Sequence, residues 1–204
     1  MSIEVKNISK YYEEQLALDE INFKVNSGEI VGFLGPNGAG KSTTMKIISC
    51  FIKPSKGEVL VDGDSIHNNE IKVKSKIGYL PENNPLYEDM YVRESIGFIA
   101  QIHKVENWKI AVENVIEKVG LYKEAHKKIG QLSKGYQQRV GIAQAIVHDP
   151  KVLILDEPTS GLDPNQLDEI RFLIKELGKN KTVMLSTHIM QEVESICDRI
   201  VVIN

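Results

Sequence analysis

The sequence predicts an α/β fold, with a parallel-sheet core, a small antiparallel sheet beside it and a separate helical lobe. Three observations carry this. Val152-Leu-Ile-Leu155 has no polar alternation, the mark of a strand buried on both faces of a parallel sheet. Ile21-Asn-Phe-Lys-Val25 alternates cleanly, as a strand with one wet face does. Residues 92–147 instead place their apolar side chains at helical spacing.

In chain order, Ile3, Val5 and Ile8 begin the first strand pattern, and Ser27-Gly28 marks a turn after the alternating strand. Ile30-Val-Gly-Phe-Leu34 is an apolar run of strand length, followed by a Gly-rich turn and a helix expected over residues 41–51. Pro54-Ser-Lys-Gly57 is a loop, Glu58-Val-Leu-Val61 a strand ending at Asp62-Gly63, and Ile77-Gly-Tyr-Leu80 a short strand stopped by Pro81. Ile96, Ile99, Ala100 and His103 share one helical face. Ala111, Val112, Val115, Ile116 and Val119 share another, with Gly120 as its C-cap. A helix follows Pro164, then a strand Thr182-Val-Met-Leu-Ser186, a helix from Met190 and a last strand over residues 200–203. The expected division is one domain over 1–204, with a core and antiparallel sheet from 1–81 and 150–204 and a helical lobe from 83–149.

Length and composition narrow the function. With 204 residues, 42% hydrophobic and 26% charged, the chain can bury a real core without disulfide or metal staples. A net charge of −3 supplies no positive field to gather nucleic acid, so no nucleic-acid partner is expected. The basic run Lys72-Val-Lys-Ser-Lys76 reads as a solvated helix face. Cys50 and Cys197 lack metal-ligand spacing and are expected to be two buried thiols in a reducing compartment. The first residues show no basic stretch leading into an apolar one, so no signal peptide is expected. No apolar stretch approaches the roughly 18 residues of a membrane span.

The sharpest motif is Gly35-Pro-Asn-Gly-Ala-Gly-Lys41-Ser42, a G-x-x-x-x-G-K-[ST] loop after a strand and before a helix. A plain Gly-rich turn would need neither the lysine nor that context. Glycines let backbone N–H groups curl around the α- and β-phosphates of a nucleotide, and the helix N-terminus adds positive potential. Gly35, Pro36, Asn37, Gly38, Ala39, Gly40, Lys41, Ser42 and Thr43 are therefore the expected nucleotide-binding residues. Lys41 reaches the β- and γ-phosphates, and the Ser42 hydroxyl is available to Mg²⁺. Asp156 and Glu157 end the buried Val152-Leu-Ile-Leu155 run, with no paired cations in view, where ligands of open α/β sheets sit. Asp156 is the expected metal ligand. Glu157, pointing differently, is the expected general base for an attacking water.

Together with the loop and the two carboxylates, four further segments make the chain resemble the ABC ATPases over essentially its whole length. Leu132-Ser-Lys-Gly-Tyr-Gln-Gln-Arg139 is similar to their LSGGQ signature, and Pro158-Thr-Ser-Gly-Leu-Asp163-Pro to their D-loop. Ser186-Thr-His188 resembles their switch histidine, and Tyr12, in Lys10-Tyr-Tyr, falls where their adenine-stacking aromatic lies, with Tyr11 as its neighbour. The resemblance implies a RecA-like P-loop NTPase core that binds ATP and Mg²⁺. His188 would join Glu157 at the reacting phosphate. Ser133, Gly135 and Tyr136 would act in trans, with Asp163 in the D-loop, in a head-to-tail homodimer or a pair with another ATPase subunit. Two positions of the signature depart from the family: Lys134 replaces its first Gly and Tyr136 its Gln, yet Ser133 and Gly135 keep their donors. Glu82 stands where many members carry Gln. As a third metal-side residue it would make turnover more dependent on Mg²⁺ saturation.

The segment from Leu80 to Glu94 resembles the ATPases of ABC-2-type exporters, and most of all the gliding-motility-associated ATP-binding subunits known from Bacteroidetes. The resemblance therefore implies an ATP-hydrolysing, energy-coupling subunit on the inner, cytoplasmic face of a cell membrane, partnered by an integral membrane permease. The alternative is a soluble ABC ATPase of the iron–sulfur assembly type. Only 50 residues separate Glu82 from Ser133, too few for the coiled-coil insertions of the DNA-repair types. A nucleotide kinase would lack the signature and D-loop. Family members commonly continue past the last strand, so this chain is expected to be part of a longer one.

Overall fold

Strands that leave no polar face must be covered on both sides, and β3 (Ile30–Leu34), β7 (Val152–Asp156) and β8 (Thr182–Thr187) meet that demand, with all but one residue buried. A computed structural model describes residues 2–204, so Met1 lies outside the described part. In it these three strands form the centre of a five-stranded parallel sheet, order β6-β7-β8-β3-β9, with β6 at Ile77–Leu80 and β9 at Arg199–Val202. A second, antiparallel sheet has the order β2-β1-β4-β5, from β1 (Ile3–Tyr12), β2 (Gln15–Val25), β4 (Lys56–Val61) and β5 (Asp64–Ser65). The sequence reading missed β5, a two-residue strand that pairs Leu60 with Ser65.

The parallel sheet is a wall between two cores. Strand side chains alternate faces, so Leu153, Leu155, Val183 and Leu185 join the helical side. Val152, Ile154 and Met184 face the antiparallel sheet, where they meet Ile3, Val5, Val59 and Phe33. Each such buried aliphatic side chain contributes about 1.5–3 kcal/mol. The helical side is closed by α3 (Val92–Ile102), α4 (Trp108–Lys118), α5 (Lys134–Ile146) and α6 (Pro164–Gly178). In α3, Val92, Ile96 and Ala100 recur every fourth residue and are buried, whereas His103 caps the helix rather than sharing that face. A Cβ on Gly78 of β6 would collide with the carbonyl oxygen of Ala145, so α5 lies directly on the sheet.

Three shorter helices complete the chain: α1 (Lys41–Ile48), α2 (Glu70–Lys76) and α7 (Met190–Ile196). α1 ends three residues earlier than its apolar sequence suggests. Cys50 adopts φ 58°, and the Cys50 and Phe51 amides bond back to Ile47 O and Lys46 O, a Schellman ending on a non-glycine residue. α4 closes in the same way on Gly120, as expected. On α2, Lys72 and Lys74 are exposed and paired with Asp64 and Glu70, which satisfies the basic run locally. Both cysteines are free and half-buried rather than fully buried. Burial raises the thiols to about 11 at Cys50 and about 12 at Cys197. Among the described residues no helix is long and apolar enough to cross a membrane.

Two histidines that looked ordinary in sequence join the lobes. His103, at the end of α3, stacks on His148, just past α5, with ring centroids 3.8 Å apart and planes 12° from parallel. The carbonyl of Ile77 can only accept, so His148 Nε2–H donates to it, at 3.0 Å. His148 Nδ1 is buried without a partner. A second proton there would be a buried charge against another imidazole. Burial, then the His103 ring, lower His148 from 6.5 to about 4.

The unfolded chain therefore holds more protons than the folded one between pH 6.5 and about 4. Stability from this site is complete above pH 6.5 and is lost as pH falls through that window. Denaturant unfolding of the protein and of His148→Gln across the window checks this. The difference in unfolding free energy is expected to shrink on acidification, and parallel pH profiles would contradict it.

Candidate active site

Register brings the chemistry together. In the parallel sheet Asp156 pairs with Ser186 and Leu34 with Thr187, so β7, β8 and β3 stop level with one another. From those three ends leave Glu157, His188 and the loop from Gly35 to Gly40. A cleft of ≈ 290 Å³ lies there, lined by Ala17, Asn37, Gly38, Gly40, Lys41, Ser42, Thr43, Glu82 and Glu157. Gly40 caps α1 at φ 94° with no side-chain hydrogen bond, and the first intrahelical bond runs from Thr44 N–H to Gly40 O. The amides of Lys41, Ser42 and Thr43 thus lack a helical acceptor, which makes this end of α1 a ready anion site.

Lys41 is only 6% exposed. Its ammonium donates to Gly35 O at 2.8 Å and Pro36 O at 3.2 Å, and lies 3.6 Å from a carboxylate oxygen of Glu157. Glu157 is itself 6% exposed, and both its oxygens lie 3.1 Å from His188 Nδ1. The sequence reading took the two carboxylates to be without cations. The fold instead sets the Lys41 ammonium 3.6 Å from Glu157, because the strands that lead to them end level, and His188, which the family resemblance put with Glu157, faces the same carboxylate.

Asp156 and Glu157 point apart for a backbone reason. Glu157 has φ 48°, a left-handed conformation that costs a non-glycine residue about 1–3 kcal/mol and persists only where the surroundings over-determine it. Ser186 supplies part of that determination. Its buried hydroxyl accepts from Glu157 N–H at 2.9 Å and donates to Asp156 Oδ1 at 2.6 Å. Asp156 Oδ1 also accepts from Ser42 Oγ at 3.1 Å, while Asp156 Oδ2 is buried with no partner. A buried carboxylate oxygen left free beside a hydroxyl fits a hard divalent cation. Among the described residues no three His, Cys, Asp or Glu side chains cluster to hold a metal alone, so solvent or ligand oxygens would complete its shell. Glu82 is exposed at the rim. Between them, Tyr79 of β6 buries an unpartnered hydroxyl, held above its usual range by burial and by the charges of Asp156 and Glu82.

The remaining expected residues lie elsewhere. Ser133 caps α5, its hydroxyl accepting from Tyr136 N–H, and Gln166 of α6 covers both Ser133 and Gly135. Asp163 caps α6 through Gln166 N–H at 3.0 Å, with Pro164 in the first turn. A second cleft of ≈ 260 Å³, lined by residues including Gly135, Tyr136, Asp163 and Gln166, shares no lining residue with the first. Tyr12 is 47% exposed at the end of β1 and does not line the phosphate-loop cleft, where β2 contributes Ala17. Sequence reasoning missed Ala17, Tyr79 and Ser186. Only Ser186 carried a signal, a polar residue closing an apolar run as Asp156 does.

Comparison with known proteins finds relatives in sequence and in fold. The sequence model described as ABC transporter matches residues 18–160. The chain is 41% identical over 203 residues to the uncharacterized ABC transporter ATP-binding protein YhcH of Bacillus subtilis, covering 98% of this chain and 66% of that protein. It is 39% identical over 204 residues to the bacitracin transport ATP-binding protein BcrA of Bacillus licheniformis, covering 99% and 66%. The chain thus spans just under two thirds of the length of these relatives. The solved dimeric structure of the ATP-binding cassette MJ0796 in a post-hydrolysis state, bound to ADP and Pi, superimposes with a TM-score of 0.89. Identity there is 29%, over 99% of this chain and 94% of that one.

Replacing Ser186 with Ala removes the acceptor of the buried Glu157 amide and a donor to Asp156. Denaturant unfolding is expected to show a loss of about 1–3 kcal/mol. A change within a few tenths would mean that the Glu157 turn is held without it.

Proposed function

The chain belongs to the ABC transporter family, and on that footing we propose that it is the ATP-hydrolysing, energy-coupling subunit of a membrane exporter. One observation supports this most: Glu157, turned into the cleft by its left-handed backbone, is faced by His188 and Lys41 beside the phosphate loop. Such a carboxylate can take the proton of an attacking water while the histidine orients both. Lys41 would exchange its bonds to Gly35 O and Pro36 O for the β- and γ-phosphates, and the free amides of Lys41, Ser42 and Thr43 would hold their oxygens. Ser42 and Asp156 would hold Mg²⁺, whose chemistry there would be to neutralise phosphate charge. Tyr12 is assigned to the adenine.

The second cleft supports a composite site. Ser133 and Tyr136 are exposed at the start of α5, with Gly135 buried under Gln166, on a cleft separate from the phosphate loop, so the three would serve the nucleotide of a second copy, with Asp163 at the seam. Residues 83–149 would then carry the closing movement to a membrane permease, while 1–81 and 150–204 hold the nucleotide. The protein would work at the cytoplasmic face of the membrane. The likeness of the Leu80 to Glu94 segment to ABC-2-type exporters, and more narrowly to the gliding-motility subunits, favours export, as does the bacitracin transport relative.

Glu157→Gln is expected to lower ATP turnover by at least about a hundredfold while ATP still binds, and to trap a dimer on size-exclusion chromatography with light scattering. A monomer under saturating ATP would count against the composite site, and undiminished turnover against Glu157 as base. Glu82→Gln is expected to lower the Mg²⁺ concentration needed for half-maximal turnover, since it keeps an oxygen for the cation while removing a negative charge near the γ-phosphate that Mg²⁺ would have to offset. An unchanged Mg²⁺ titration would refute that role.

A further inference from the structure

Glu192 of α7 is a buried carboxylate, 2% exposed, that the reading above does not use. Each of its oxygens is taken by a different threonine. Thr159 Oγ1 donates to Oε1 at 2.6 Å, and Thr187 Oγ1 donates to Oε2 at 2.6 Å. Both threonines are buried. Thr187 Oγ1 itself accepts from Ile189 N–H at 3.1 Å, so its one hydrogen is committed to the carboxylate. Among the described residues no cation pairs with Glu192, which leaves the two hydroxyls as its recorded side-chain hydrogen-bond partners. An apolar side chain would fill such a place at less cost, so what the carboxylate holds is informative.

What it holds are the two segments that carry the reacting pair. Thr159 lies two residues after Glu157, and Thr187 immediately before His188. The loop leaving Glu157 is otherwise tied by Gln138 Nε2 donating to Pro158 O at 2.8 Å and by Ser160 N–H donating to Glu157 O at 3.1 Å. Both of those ties run within the loop or to α5. Beside the Ser186 hydroxyl, which accepts from Glu157 N–H at 2.9 Å, Glu192 is a second tie between the loop and the β8 end, across the gap that the Glu157 carboxylate and His188 Nδ1 span at 3.1 Å. We propose that Glu192 is a positioning residue: through Thr159 and Thr187 it sets the Glu157–His188 geometry and so the placing of the attacking water, without touching the nucleotide. This role rests on the hydrolytic reading above. A residue that merely anchored α7 would lower stability without separating catalysis from binding.

The test uses Glu192→Gln, which keeps the shape but turns one acceptor into a donor, and Thr159→Val, which removes one arm and no charge, with Thr159→Ser as the conservative partner. For each, thermal unfolding, the affinity for a fluorescent ATP analogue and single-turnover hydrolysis are measured, alone and combined with Glu157→Gln. Glu192→Gln and Thr159→Val are expected to bind the analogue within about twofold of the parent while kcat falls on the order of tenfold to a hundredfold, since small misplacements of reacting groups cost that much. Thr159→Ser is expected to restore the rate. Combined with Glu157→Gln, neither is expected to lower the residual rate further, because all act through one carboxylate. Wild-type kcat in both Glu192→Gln and Thr159→Val would overturn the proposal. So would affinity, melting temperature and rate falling together, with the same loss in the Glu157→Gln background. If Glu157→Gln alone left hydrolysis intact, the hydrolytic reading would fail first, and the positioning role with it.

Discussion

A sheet buried on both faces can show polar groups only where its strands stop, and that constraint organises this molecule. β3, β7 and β8 are apolar along their length and end level, so Gly35, Asp156, Ser186 and His188 meet at one edge. The two cores on either side of the sheet hold that edge still. Ligand sites of open α/β sheets lie at the carboxyl ends of strands for the same reason. Here the edge also includes a left-handed residue, Glu157, whose strain is offset in part by the hydrogen bond its N–H donates to Ser186 of the neighbouring strand.

The charges at that edge form one network. Lys41 rests on the loop carbonyls and near Glu157, His188 faces the same carboxylate, and Asp156 shares one oxygen between two serines while the other stays free. In the proposed reaction these contacts would be exchanged for a phosphate oxygen or a cation. Preorganisation of this kind makes electrostatic stabilisation effective, because the dipoles are in place before the charge arrives.

The chain also presents two anion-competent helix starts, at α1 and α5, on clefts with no lining residue in common. One γ-phosphate cannot occupy both within a single chain. The proposed pairing of two cassettes would resolve this, and the cap residues Ser133 and Asp163 hold the second surface in shape within one chain.

Much was legible in sequence, because it rests on local rules. Burial of both strand faces, the spacing of Gly35 to Ser42, Gly120 at the end of α4 and Pro164 at the start of α6 are all readable from neighbours in the chain. The end of α1 at Cys50 was not, since a left-handed cysteine gives no local sign. Nor were the long-range meetings: Ser186 with Asp156 and Glu157, Glu192 with Thr159, His103 with His148, Lys41 with Glu157. Sequence by itself determined which residues could bind phosphate and where the strands run, because periodicity and turn chemistry act over a few residues. Only the tertiary structure decided which carboxylate has a lysine against it and which has a free oxygen. That depends on strand register, which brings side chains from distant positions into contact and leaves no trace in any short stretch of the chain.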